Sequence, residues 1–208
     1  MIISDIDYSL NIELSEKLGT LSLASGELVY CSANERDIKD AIISKLNLGQ
    51  MELDQIAKTK DEIPLKKKLS LIFPELIFMN NLNVEENLNL FFEARNLKIN
   101  NNHLKQKLSE FNISPSKPMN SLSLVEKIDF LICRTFLANL KIIVLDSTIL
   151  QLNEYDQDRI MAELIMHCRE HGASLIVTKY SERLINSFPG RVHQAIAIQN
   201  EAESKVYA

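Results

Sequence analysis

From residue 8 to 31 apolar and polar positions alternate: Leu10, Ile12 and Leu14, then Leu21 and Leu23, then Leu28, with Gly19 and Gly26 at the breaks. A period of two with short interruptions predicts an antiparallel β meander. Between 37 and 48 the spacing turns helical, through Ile38, Ala41, Ile42, Lys45 and Leu46, and Gly49 ends it. Leu69 to Phe73 forms a short apolar strand after a polar stretch. Asn83 and Glu86 have the spacing of a capping box, and Leu88, Phe91, Phe92 and Arg95 fit the helix that follows. Ser114, Pro115 and Pro118 mark a loop. Ser123 and Glu126 then open a helix of about four turns bearing Ile128, Leu131, Ile132 and Phe136.

The remaining pattern is that of strands covered on both faces. KIIVLD is apolar throughout from Ile142, and SLIVT (174–178) and AIAI (195–198) repeat it. A helix from about Glu154 to His171 separates the first two and stops at Gly172, the usual residue just past a helix end. Buried strands alternating with helices predict a parallel α/β sheet with a helical insert between Phe73 and Ile142.

Composition narrows the class. The chain has 208 residues, 46% of them apolar, and its 23 basic against 28 acidic side chains give a net charge of −5. That length suits one large domain with a sub-domain. A net-acidic chain whose one basic cluster is Lys66, Lys67 and Lys68 is a poor ligand for nucleic acid. Cys31, Cys133 and Cys168 form no disulfide framework and no Cys-x-x-Cys metal hook, so the expected compartment is a reducing cytosol. The first ten residues lack the features of a signal peptide. The most apolar run, LSLIFPELIFM, is broken by Pro74 and Glu75 well short of a bilayer span.

Five ordered segments resemble the nucleotide-binding domain of ABC-type transporter ATPases. GELVYC with the helix ending KLNLG is similar to that family's strand, phosphate loop and first helix. LSLIFPELIFMNNLNVEENL resembles its Q-loop segment, and NSLSLVEKIDFLICRTFLA its signature segment, with Ser123 and Arg134 in register. KIIVLDSTI resembles the Walker B strand, and SLIVTK the strand before the switch histidine. The resemblance spans nearly the whole chain. It implies a RecA-like P-loop NTPase core with an antiparallel β sub-domain and a helical sub-domain around residues 75–135.

The departures from the family pattern carry the functional expectation. A phosphate loop needs glycines, whose freedom at positive φ lets backbone N–H groups close around phosphate. The aligned residues run from Ala33 to Asp40, with Ile38 at one glycine position and Asp40 in place of the magnesium-holding hydroxyl; Lys39 alone stays in register. Glu35, Asp37 and Asp40 bring three carboxylates against Arg36 and Lys39. One unrelieved like-charge pair at 4 Å costs on the order of 4 kcal/mol at an effective dielectric near 20, about a thousandfold in affinity. Asp146 matches the Walker B aspartate, but Ser147 stands where the family has its general base, and a serine accepts no proton near neutral pH. Pro74 replaces the Q-loop glutamine and Lys179 the switch histidine. Leu124 and Val125 replace the signature glycines after Ser123. Phosphoryl transfer is almost entirely positioning and electrostatics, so the expectation is a pseudo-ATPase with no intact catalytic residue and no resident cofactor.

The resemblance further implies a dimer, with itself or with a competent ABC ATPase, beneath membrane permease subunits on the cytoplasmic face. Phe78, Met79, Leu82 and Val84 are the expected permease contacts. Lipid or lipoprotein transport and a cell-division role both fit. The alternative is a weakly active ATPase that binds ATP and magnesium through Lys39, Asp40, Asp146 and Ser123. His167, Glu170 and His171 match the H-x-x-E-H pattern of zinc peptidases. That stretch also reads as a polar helix end, with histidines near the C-terminal dipole, and no metal is expected there. Phe91 and Phe92 at helical spacing are expected in the core. Cys31 is expected as inert strand packing, and His103 at the surface.

Overall fold

The computed structural model describes residues 9–15, 19–31, 69–72 and 78–193. The phosphate-loop positions 33–40, the helix expected over 37–48, Pro74, and AIAI (195–198) lie outside them.

Strands β1 (Ser9–Ser15) and β2 (Gly19–Ala24) pair antiparallel, as the alternation predicts. The third strand of the expected meander, β3 (Leu28–Cys31), departs from it. It lies instead in a parallel sheet with β4 (Leu69–Ile72), β5 (Ile142–Leu145), β6 (Ser174–Val177) and β7 (Arg191–His193), in the order β4-β5-β6-β3-β7. The reason is burial: Val29, Tyr30 and Cys31 are buried in succession, which a two-layered hairpin with one wet face does not allow. The hairpin stays stitched to the sheet. Ser174 donates its hydroxyl to Ala24 O, and the Gly26 amide, at φ +77°, donates to Ala173 O at 3.0 Å. A side chain at Gly190 would meet Leu28 Cγ at 2.7 Å, so β7 reaches β3 only past a glycine.

Between β4 and β5 run α1 (Val84–Ala94), α2 (Asn101–Glu110) and α3 (Leu124–Leu137), followed after β5 by α4 (Glu154–His171) and α5 (Glu182–Ser187). Both expected capping boxes are present. Asn83 Oδ1 accepts from the Glu86 amide and Ser123 Oγ from the Glu126 amide, while each glutamate accepts from its cap residue's N–H. The helix from Glu154 ends at Gly172, in the left-handed conformation, as read from the sequence.

The first three helices end the same way without glycine. Asn96, Asn112 and Asn139 take positive φ, and the next residue's amide reaches back five positions, from Leu97 to Phe92 O, Ile113 to Leu108 O and Leu140 to Thr135 O. Ala173 to Cys168 O repeats the bond behind Gly172. Asparagine tolerates the left-handed region better than most side chains. A chain with five glycines has used it as its helix stop.

One continuous apolar core joins the sheet to the helices, from Tyr30, Ile143 and Leu175 through Ile128 and Leu131 to Leu88 and Leu104. Phe92 is buried and Phe91 packs half-buried beside it, with the rings edge to face at 5.5 Å.

Candidate functional site

The parallel register sets β5 beside β6 so that Leu145 and Val177 are partners. Asp146 and Lys179, each just past a strand end, therefore reach the same C-terminal edge of the sheet, where β3 also delivers the chain into the phosphate-loop positions. Asp146 is 3% exposed, and its Oδ1 accepts from the Thr148 amide at 2.9 Å. It caps a single 3-10 turn, Ser147–Gln151, that opens with the half-buried Ser147. Thr178 binds back to Leu145 O through its amide at 3.0 Å and its hydroxyl at 3.4 Å. Lys179 after it is exposed. The edge thus brings together an anchored carboxylate, a half-buried hydroxyl and a solvated lysine. Lys39, Asp40 and Pro74, expected at the same edge, are outside the described residues.

Ser123 is exposed at the N-cap of α3 and spends its hydroxyl on the Glu126 amide at 3.3 Å. Glu126 completes the cap and binds Lys117 Nζ at 2.6 Å; the Lys117 hydrogen bond, then that of the Ser123 amide, holds its carboxyl below the ordinary range. A helix N-terminus otherwise attracts anions through its free amides and dipole. Here the chain's own carboxylate stands at that end, and Leu124 and Val125 pack half-buried against the core. Ser123→Ala is expected to cost about 1 kcal/mol in urea unfolding, the value of a lost N-cap.

Of the expected permease contacts, Met79 is 53% exposed, Leu82 is half-buried, and Phe78 is half-buried edge-to-face on Phe130 at 5.6 Å. Val84 is a correction. It is fully buried beneath the first turn of α1, because the N-terminal face of that helix rests on the core, so it has no surface to offer a partner. Sequence reading missed Asn87 and Leu90. Asn87 is buried and holds the Met79 backbone from both sides, while Leu90 is 41% exposed. A polar residue on the inward side of an amphipathic helix, and an apolar one on its outward side, were the signals available.

The H-x-x-E-H stretch is not a polar helix end throughout. His167 is 4% exposed, sandwiched between Phe136 at 4.0 Å and His171 at 4.4 Å, and its Nε2 is buried with no hydrogen-bond partner. Burial foremost, then the positive fields of His171, Lys141 and Lys107, push its pKa down to about 3. Among the described residues no three His, Cys, Asp or Glu side chains are grouped to hold a metal. Cys31 is buried, and His103 is exposed.

No protein-family model and no curated protein matches this sequence. Solved structures do. A protein described as an ABC transporter ATP-binding protein from Pyrococcus furiosus superposes with a TM-score of 0.64 at 17% identity, over 90% of this chain and 98% of that one. The cbiO1 protein of Clostridium perfringens, part of the ABC transporter complex cbiONQ, gives 0.59 at 18% identity, over 85% and 80%. A metal-chelate type ABC transporter in an inward-facing conformation gives 0.62 at 15% identity, over 87% and 76%. The sheet order, the helices between β4 and β5, and these superpositions establish that the chain has the α/β fold of ABC transporter ATP-binding proteins, with a RecA-like parallel core.

Proposed function

We propose that this chain is a catalytically silent, peripheral subunit of an ABC-type membrane complex, binding permease subunits through its shape. It pairs with a competent ATPase or with a second copy of itself on the cytoplasmic face. The observation that carries this reading is Ser147. In a fold whose chemistry needs a carboxylate base next to the Walker B aspartate, a hydroxyl opens a turn that Asp146 itself caps. A hydroxyl near neutral pH takes no proton from water. Glu126 supports the reading from the other half of the machinery, since its carboxylate, paired with Lys117, and the Ser123 hydroxyl occupy amides at the helix end that would face a partner's phosphate. The solved ABC ATP-binding proteins of the same fold supply the partner type, and no helix among the described residues is long and apolar enough to cross a membrane.

Calorimetric titration of the full chain with ATP, with and without magnesium, tests the silent-subunit reading. The expected result is no saturable heat at micromolar to low-millimolar nucleotide and no phosphate release. Micromolar binding with turnover would overturn it in favour of an ATPase using Lys39 and Asp146. Co-purification from membranes with a multi-span protein is the matching test of the partner; recovery as a lone soluble monomer counts against it.

A further inference from the structure

We infer that α5 is a two-ended latch that fixes the Lys179 segment of the sheet edge in a single position before any ligand or partner arrives. Tyr30 closes one end and Arg183 the other. The inference goes beyond the silent-subunit reading and does not depend on it.

The helix has little to hold it by itself. It has six residues, and Leu184 alone among them is buried. A helix this short is nucleated at a loss and persists only where tertiary contacts hold it. Its Ser181 N-cap accepts from the Leu184 amide at a long 3.3 Å, and its final turn leaves carbonyls that need donors.

Tyr30 supplies the donor at that final turn. It is fully buried on β3, and its hydroxyl lies 2.7 Å from Phe188 O and 3.2 Å from Leu184 O. A phenol has one proton, so the two carbonyls share it. The Tyr180 ring, just past Lys179, packs edge to face on Tyr30 at 5.0 Å. One side chain of β3 therefore touches both the segment entering α5 and the turn leaving it. Beyond that turn Gly190 passes Leu28 where no side chain would fit, so the exit from α5 is closed on β3 as well.

Arg183 closes the other end. From the first turn of α5 it donates to Asp158 at 2.7 Å and to Gln157 Oε1 at 2.8 Å, with Glu154 at 3.8 Å, all near the start of α4. Gln157 is itself buried, and its Nε2 donates at 2.8 Å to the carbonyl of Leu152, the residue that ends the turn capped by Asp146. One side chain thus links the guanidinium to the backbone of that turn. β3, α5, α4 and the turn form one connected body around Lys179, whose neighbour Thr178 is already bound to Leu145 O. Such an edge leaves little ordering for a partner to impose.

Amide hydrogen exchange of the full chain tests the latch. It is read at Ile185 and Phe188, whose amides bond to Ser181 O and Leu184 O, with the amides of α3 as the control. Tyr30→Phe keeps the ring and removes the hydroxyl; Arg183→Met keeps much of the side chain's length and removes the fork. If α5 opens as a unit, each variant speeds exchange at both Ile185 and Phe188 by about fivefold, the effect of one net hydrogen bond, and the double variant by about twenty-five-fold. These are the expected results, with α3 exchanging as in the parent and α5 indifferent to magnesium and ATP. Acceleration confined to the mutated end would show two fraying ends instead of a latch. Equal acceleration in α3 would show a general loss of stability. Either outcome overturns the inference, as does an unchanged α5 in both variants or a change in α5 exchange on adding nucleotide. Failure of the silent-subunit reading shows separately, as saturable heat in the nucleotide titration while α5 exchange stays the same.

Discussion

Arg159→Ala is expected to lower the stability of the protein by about 3 kcal/mol, the larger part of it from a carboxylate left buried without its partner. Arg159 on α4 grips Asp129 on α3 with both guanidinium nitrogens, at 2.9 and 3.1 Å, and also reaches Glu163 at 3.2 Å and Asp156 at 3.7 Å. Burial pushes the Asp129 carboxyl above its ordinary value, and the two bonds from Arg159 offset part of that. Without the guanidinium, three carboxylates face one another across the α3–α4 contact. For a chain of this length the loss corresponds to roughly 6–12 °C in melting temperature. Acidification, as the raised Asp129 carboxyl takes up a proton, should restore more stability to the variant than it adds to the parent, where the bonds from Arg159 hold that carboxyl partly down. Replacing both partners with apolar residues, Asp129→Leu/Arg159→Met, should cost far less than Arg159→Ala alone, since a buried ion pair contributes little beyond its own desolvation. If the single variant melts within a degree or two of the parent, the clamp is not holding the two helices.

Acidification supplies the second large effect, through His167. Its pKa in the folded state is pushed down to about 3, while an unfolded histidine titrates near 6.5. Between those values the unfolded chain binds a proton that the folded chain refuses. Stability is therefore fully present above pH 6.5 and falls as pH drops toward 3, by at most about 1.4 kcal/mol per unit. At pH 5 the loss is on the order of 2 kcal/mol. His167→Phe keeps the stack on Phe136 and removes a buried ring nitrogen that has no hydrogen-bond partner. It should be as stable as the parent or more so at pH 7, and its urea midpoint should change less between pH 7 and 5. An identical pH slope in the two proteins would show that the ring is hydrated or protonated in the fold. The same buried neutrality explains why this stretch reads as a zinc motif yet is built as packing. His167 Nε2 is buried among apolar neighbours, and the His171 ring lies flat against it.

These two sites and the candidate catalytic edge were legible in the sequence to different degrees. Helix starts were legible because a capping box is a local contract between residues three apart, and Asn83–Glu86 and Ser123–Glu126 honour it. The stop at Gly172 was legible for the same reason. The stops at Asn96, Asn112 and Asn139 were not, because asparagine enters turns, caps and left-handed residues alike and only the backbone says which. The side-chain chemistry at Ser147 and Lys179 needs no coordinates: a hydroxyl and an amine carry it wherever they stand. Their convergence with Asp146 on one sheet edge does need them, since it follows from β5–β6 pairing of residues such as Leu145 and Val177, far apart in sequence.

By itself the sequence determined the β1–β2 alternation, the buried strands β5 and β6 and both capped helix starts, because each depends on residues within a turn of one another or on a run of like side chains. Only the tertiary structure decided that β3 leaves the hairpin for the parallel sheet, that Val84 is core while Leu90 is surface, and that His167 is sealed between two rings. Burial is a property of what packs from elsewhere in the chain. An apolar period marks which face of an element turns inward, and the neighbours that cover it are chosen by the whole fold.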